Sequence, residues 1–202
     1  GATELPGNMA LGATRSAELA EKAGEVLGRE LLAMGITLNF APSVDVNNNP
    51  ASIGIGSRSF GDDPALVAEL GAAQIRGMQK TGLLACAKHF PGLGDTTIDS
   101  HFDLPIAYHD MARLDSVELA PFRAAIAAGV GSVMTAHMVF TALDPEQPAT
   151  LSAKVLGFLR GALGFTGLTL TDAMDMHAVS QRGEREALAA ALDAGIDLAI
   201  MA

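Results

Sequence analysis

Lys88 to His101 reads KHFPGLGDTTIDSH, a run that gathers a lysine, two histidines and two aspartates just after the apolar stretch LLACA. LLACA is a candidate buried strand, so this chemistry is delivered to a strand's mouth. Lys88 and His89 can both donate hydrogen bonds to sugar or phosphate oxygens. The competing structural reading is a snorkelling lysine beside a core histidine. Asp99 and His101 stand two apart. An aspartate that accepts from one imidazole nitrogen sets the tautomer and raises the basicity of the other, so such a pair can give and later take a proton near neutral pH. On spacing alone, a solvated loop with polar residues fits them equally well.

Asp172 ends the run GLTLT. A carboxylate at that point suits a nucleophile, a metal ligand or a general base. It could equally cap the following helix, although Asp175, three residues on, is better placed to cap. Arg58, in IGSRSFGDD, is a sugar or carboxylate clamp, or a loop anchor paired with Asp62 or Asp63. His89, His101, His137 and Asp172 could be combined as metal ligands, but none of these histidines has the i, i+4 spacing of a helical zinc site, and no metal or other cofactor is expected. Ser100 lies in no Gly-x-Ser-x-Gly elbow. PGLG (91–94) turns the chain sharply without a following Gly-Lys-Ser/Thr, so it is not a phosphate cradle. His109 and His177 lack comparable company, and Cys86, flanked by Ala85 and Ala87, reads as a core residue.

The elements that must hold these groups alternate. Strand runs begin at Ile36, Leu83, Gly131, Gly167 and Gly195. Between them, Leu19, Ala23, Val26, Leu27, Leu31 and Met34 follow helical spacing. Asp63-Pro64 opens a helix with Val67, Leu70, Ile75 and Met78 on its apolar face. Pro121 opens another, Ser152 caps a fourth, and a last one runs from about Glu184 to Ala194. Strict alternation predicts a parallel sheet covered by helices. An open doubly wound sheet and a (β/α)8 barrel both fit, and in both the site lies at the strands' C-terminal ends. Asp45, Lys88, His89, His137 and Asp172 all stand there. The loops Asn47–Gly61 and Pro91–Tyr108 are long for such connections.

The 202-residue chain carries a net charge of −10 with no basic run, which disfavours nucleic-acid or anionic-membrane surfaces. Its single cysteine excludes an intrachain disulfide. No apolar stretch approaches the roughly 20 residues of a membrane span. The opening GATELPGNMALGA has neither a basic segment nor an apolar core of a signal peptide, and a cytoplasmic location is expected ahead of a periplasmic or secreted one.

Taken together, NFAPSVDVNNNP, IGSRSFGDDP, KHFPGLGDTTIDSHFDLP, SVMTAHMVF, PATLS and LGFTGLTLTDAMDM resemble the family 3 glycoside hydrolases, in their bacterial β-N-acetylglucosaminidase branch. The resemblance implies a single catalytic domain over residues 1–202, built as a TIM-type (β/α)8 barrel. About five barrel strands are visible, so the barrel is expected to be incomplete at both ends. It implies Asp172 as the nucleophile of a retaining, exo-acting hydrolase, and His101, oriented by Asp99, as the acid/base. Arg58, Lys88 and His89 would hold the N-acetylglucosamine, and no metal would be needed. Muropeptides or chitin oligosaccharides are the implied substrates. A β-glucosidase, β-xylosidase or phosphorylase of the same family, or a truncated amino-sugar binder without turnover, are the alternatives. Leu93 stands where the family commonly has histidine, a change expected to weaken a contact behind the site.

Overall fold

The computed structural model describes residues 2–52, 54–97, 103–181 and 183–201. Two helices open the chain, α1 (Asn8–Thr14) and α2 (Ala17–Ala33), followed by the short strand β1 (Leu38–Asn39) and a 3-10 turn at Gly56–Arg58. Next come α3 (Pro64–Lys80), β2 (Leu84–Phe90), β3 (Ile106–Ala107), α4 (Met111–Ser116), α5 (Leu119–Ala127) and β4 (Ser132–Thr135). The remainder is β5 (Val139–Phe140), β6 (Asp144–Pro148), α6 (Ala153–Gly161), β7 (Leu168–Ala173), α7 (His177–Ser180), α8 (Glu184–Ala194) and β8 (Leu198–Ile200).

The principal sheet runs β1-β2-β4-β7-β8, with every neighbouring pair parallel. Strand order therefore follows chain order without reversal. A doubly wound sheet has a switch point where the order turns back, whereas a barrel adds each strand on the same side of the last. This order resolves the two architectures left open by periodicity in favour of the barrel. The described strands make a curled half-barrel, and Phe40, Leu198 and Met201, in or next to its outer strands, are exposed.

Capping explains where the helices start. Ser16 accepts from Leu19 N, Asp63 from Ala65 N with Pro64 at the first helical position, and Ser152 from Val155 N. The helix expected to open at Pro121 begins two residues earlier, at Leu119. Proline is tolerated there because the first-turn amides have no intrahelical partner. α3 packs between α2 and α5. A Cβ on Gly24 would stand 2.3 Å from the Gln74 carbonyl oxygen, and one on Gly77 2.0 Å from that of Glu21, so α2 and α3 approach closely only because both positions lack side chains.

Helices α3 and α5 bury an apolar layer against the sheet that includes Val67, Leu70, Ile75, Met78 and Phe122. Phe122 meets the last residue of β2, Phe90, edge to face at 5.2 Å and 88°. Each buried side chain of this size contributes about 1.5–3 kcal/mol. The contact anchors the strand end that bears Lys88 and His89.

Two details depart from strict alternation. The run GSVMTAHMVF divides, with β4 in the principal sheet and β5 in a small three-stranded sheet, β3-β5-β6. The continuous apolar pattern hides the break, because both halves are buried. Asp175 does not cap α7, whose N-cap is Met176 without a side-chain bond. No described helix is long and apolar enough to cross a membrane.

Candidate active site

The site forms at the C-terminal ends of the principal strands. Asp172, the penultimate residue of β7, is 26% exposed, and its Oδ1 accepts from the Ala173 amide at 2.9 Å. Its Oδ2 lies 3.6 Å from Nε2 of His89 at the end of β2. β4 separates β2 from β7, with Phe90 paired to Thr135 and Thr135 to Thr171, so the register brings His89 and Asp172 level.

Regular alternation would point Lys88 and His89 to opposite faces. The pairing of β2 with β4 is instead irregular between Ala87 and Phe90. A bulge of this kind re-aims side chains at a barrel rim. The Lys88–His89 and Phe90–Pro91 peptide bonds are both cis. Lys88 and Arg58 line one cleft of about 260 Å³ together with Asn8, Phe40 and Ser43. Burial holds the Lys88 ammonium below the ordinary lysine pKa, opposed by the Asp172 carboxylate. The Arg58 guanidinium donates to the Gly54 carbonyl and not to Asp62 or Asp63, and Asp63 is spent on capping α3. Arg58 thus anchors its own loop through a backbone carbonyl, the ion pair with Asp62 or Asp63 is not formed, and its side chain lines the cleft beside Lys88.

Beneath these groups lies Asp45, a residue whose type attracts notice in the sequence only as one polar group among several. Its carboxylate is fully buried. Oδ2 stands 2.8 Å from His89 Nδ1 and accepts from the Ser43 hydroxyl at 2.8 Å, and Oδ1 accepts from the amides of His89 at 3.1 Å and Leu93 at 2.7 Å. Burial alone would raise its pKa, but the His89 imidazole and the donated hydrogen bonds outweigh this and hold it below the usual carboxylate range. An ionised carboxylate only accepts, so Nδ1 of His89 carries the proton and Nε2 faces Asp172. One sequence signal was available: a lone carboxylate inside APSVDV must be paired if buried, with Ser43 two residues back and further donors at the next strand end.

His137 has a different part. Its Nε2 lies 3.0 Å from the Ala173 carbonyl and its Nδ1 2.8 Å from the Thr150 hydroxyl. A carbonyl only accepts, so Nε2 is the protonated nitrogen, and burial lowers the ring's pKa. Both nitrogens are occupied, so His137 steadies the backbone beside Asp172 instead of ligating a metal. Cys86 is buried in β2, and desolvation raises its thiol pKa to about 11, as befits a core residue. Leu93, read above as a weakening change, is 7% exposed and packs in the main apolar core. His109, given no role on spacing, stands 2.9 Å from Asp95. Asp99 and His101 lie outside the described residues.

An in-order parallel half-barrel that brings a carboxylate, a histidine and two cations to its strand ends has the working face of a barrel enzyme. Residues 1–202 match the glycosyl hydrolase family 3 N terminal domain, and the chain belongs to that family. It is 40% identical over 217 residues to beta-hexosaminidase A of Pseudoalteromonas piscicida, covering 99% of this chain and 36% of that protein. It is also 40% identical to a beta-hexosaminidase of Thiobacillus denitrificans, over 100% of this chain and 58% of the relative. Among solved structures, a family 3 β-N-acetylglucosaminidase from Paenibacillus sp. str. FPU-7 superposes with TM-score 0.97 at 52% identity, covering 100% of this chain and 39% of that one. The beta-glucoside phosphorylase BglX superposes with TM-score 0.95 at 29% identity over 100% of this chain and 38% of that one. The chain thus spans between about a third and three fifths of these two curated relatives.

Proposed function

We propose that this domain belongs to a retaining, exo-acting glycoside hydrolase that releases terminal β-linked N-acetylglucosamine, with muropeptides or chitin oligosaccharides as its substrates. The observation that carries the reading is Asp172, partly exposed on a rigid strand and facing the His89 imidazole beside the cleft of Lys88 and Arg58. Asp172 attacks the anomeric carbon as the glycosidic C–O bond breaks, and His101, oriented by Asp99, passes its proton to the departing oxygen. Water then attacks the glycosyl-enzyme, gives a proton to His101 and frees the aspartate. Lys88, Arg58 and His89 bind the sugar hydroxyls. The similarity to a beta-hexosaminidase and a β-N-acetylglucosaminidase supports this choice of sugar.

The direct test is release of the chromophore from an aryl N-acetyl-β-glucosaminide by the full-length protein. The reading expects turnover there and little on the corresponding glucoside. Saturable N-acetylglucosamine binding without release would favour a non-catalytic sugar binder. The similarity to a phosphorylase makes one further arm useful: formation of sugar 1-phosphate on adding inorganic phosphate would replace hydrolysis by phosphorolysis.

Lys88 adds a pH signature. Its ammonium donates only while protonated, and burial lowers its pKa. KM should therefore rise toward alkaline pH earlier than an ordinary lysine would allow. In Lys88→Met, KM should be high and should no longer show that rise. A wild-type KM that stays level up to the ordinary lysine range would remove Lys88 from sugar binding.

A further inference from the structure

Four ionisable side chains outside the sugar cleft meet where the segment after β2 leaves the barrel and where it returns. Asp95 Oδ2 lies 2.9 Å from Nε2 of His109 and accepts from Arg113 at 3.3 Å. The same guanidinium donates to Glu118 at 2.9 Å. Glu118 is 5% exposed and lies against the PGLG turn: a Cβ on Gly92 would stand 2.8 Å from the Glu118 Cβ. Two residues on, a Cβ on Gly94 would stand 1.9 Å from the Val46 carbonyl oxygen, so the outgoing arm lies flat on the barrel rim. Between these glycines, Leu93 N donates to the Asp45 carboxylate that also holds His89. The returning arm is pinned separately, with Val139 N donating to the Pro105 carbonyl at 2.9 Å and Thr141 N to that of Ala107 at 3.1 Å.

Asp95, His109 and Glu118 place donor atoms close enough together to suit a divalent cation. Arg113 already bridges the two carboxylates, however, and a metal would have to enter beside that fixed positive charge or displace it. The cluster therefore reads as a bridge through the Arg113 guanidinium. It joins Asp95 to His109, positions that stand on either side of Asp99 and His101 in the chain.

We propose that Asp95, His109, Arg113 and Glu118 act as a positioning clasp for acid/base catalysis, tying the arm that leads to His101 to the chain that follows β3 while leaving the Asp172 side of the site alone. The proposal rests on the functional reading above. None of the four touches the cleft residues, so they act through the segment and not on the sugar.

Leaving-group dependence tests this in the full-length protein. kcat/KM for a retaining glycosidase reports the steps up to the glycosyl-enzyme. A dinitrophenyl N-acetyl-β-glucosaminide leaves without protonation, whereas a phenyl one needs the acid. His109→Ala should lose about 10–100-fold in kcat/KM on the phenyl glycoside, a share of the 10²–10⁴ that general acid catalysis supplies, and stay within about threefold of wild type on the dinitrophenyl glycoside. His109→Gln, which keeps a donor toward Asp95, should recover most of the loss. Asp95→Asn supplies the same comparison should His109→Ala fail to fold. Equal losses on both glycosides, or none on either, would overturn the clasp while leaving the hydrolase reading in place. Activation by added Zn²⁺ or Ca²⁺ that disappears in His109→Ala would overturn it in favour of a metal site. Wild-type protein that turned over neither glycoside would sink the functional reading, and the clasp with it.

Discussion

Replacing Asp172 by alanine should leave a folded protein that binds N-acetylglucosamine and scarcely turns over its glycosides. The carboxylate is at the rim, is 26% exposed, and accepts one local bond from the Ala173 amide, so its removal strands no hydrogen-bond donor beyond that amide. The melting temperature should therefore move by no more than a few degrees. Without the nucleophile the covalent route is lost, and turnover should fall on the order of 10⁴-fold or more. The combination is diagnostic: a structural aspartate would cost stability and spare chemistry. Normal activity of Asp172→Ala on an activated aryl glycoside would show that the nucleophile lies elsewhere.

Asp45→Ala should behave in the opposite way. Removing this carboxylate leaves two backbone amides, an imidazole N–H and the Ser43 hydroxyl without their buried acceptor. Breaking a buried pair of this kind costs about 3–5 kcal/mol. In a domain of this length that corresponds to a fall in melting temperature of roughly 10 °C. Activity should fall too, because His89 loses the bond that fixes its ring and Leu93 loses the bond that seats the following segment.

Asp45→Asn keeps the shape and one acceptor oxygen, so it should recover part of the stability. Asp45 also gives the effect a pH dependence. Its pKa is lower in the folded protein than the roughly 3.9 of an unfolded aspartate, so its stabilisation is complete above that value and disappears as pH falls through the folded one. Thermal melts of wild type and Asp45→Asn should accordingly converge below about pH 4. Curves that remain parallel down to acidic pH would mean that the charge contributes nothing and only the shape matters.

Much of the site was legible because its residues are local. Lys88 and His89 follow the apolar run LLACA, Asp172 closes GLTLT, and a parallel sheet must carry its chemistry at the ends of such runs. Helix starts at Asp63 and Ser152 follow from side chains that satisfy first-turn amides, an effect spanning three residues or fewer. The blocks resembling family 3 glycoside hydrolases carried the assignment of roles to Asp172, Arg58, Lys88 and His89, which periodicity could not supply.

Other features depend on contacts between distant positions. Barrel order could not be read from alternation, because a buried parallel strand shows the same apolar run whichever side its neighbour lies on. Only the sequence of pairings from Leu38 to Ile200 resolves it. The irregularity in β2 around Lys88 and His89 is a property of its pairing with β4, not of β2 alone. Asp45 acquires its importance from donors 44 and 48 residues away, and His109 from a carboxylate 14 residues back across the loop. Residue type and local spacing determined which groups could do chemistry and at which strand ends they stand. Tertiary structure alone decided which groups are paired, since a buried charge is defined by the partner that folding brings to it.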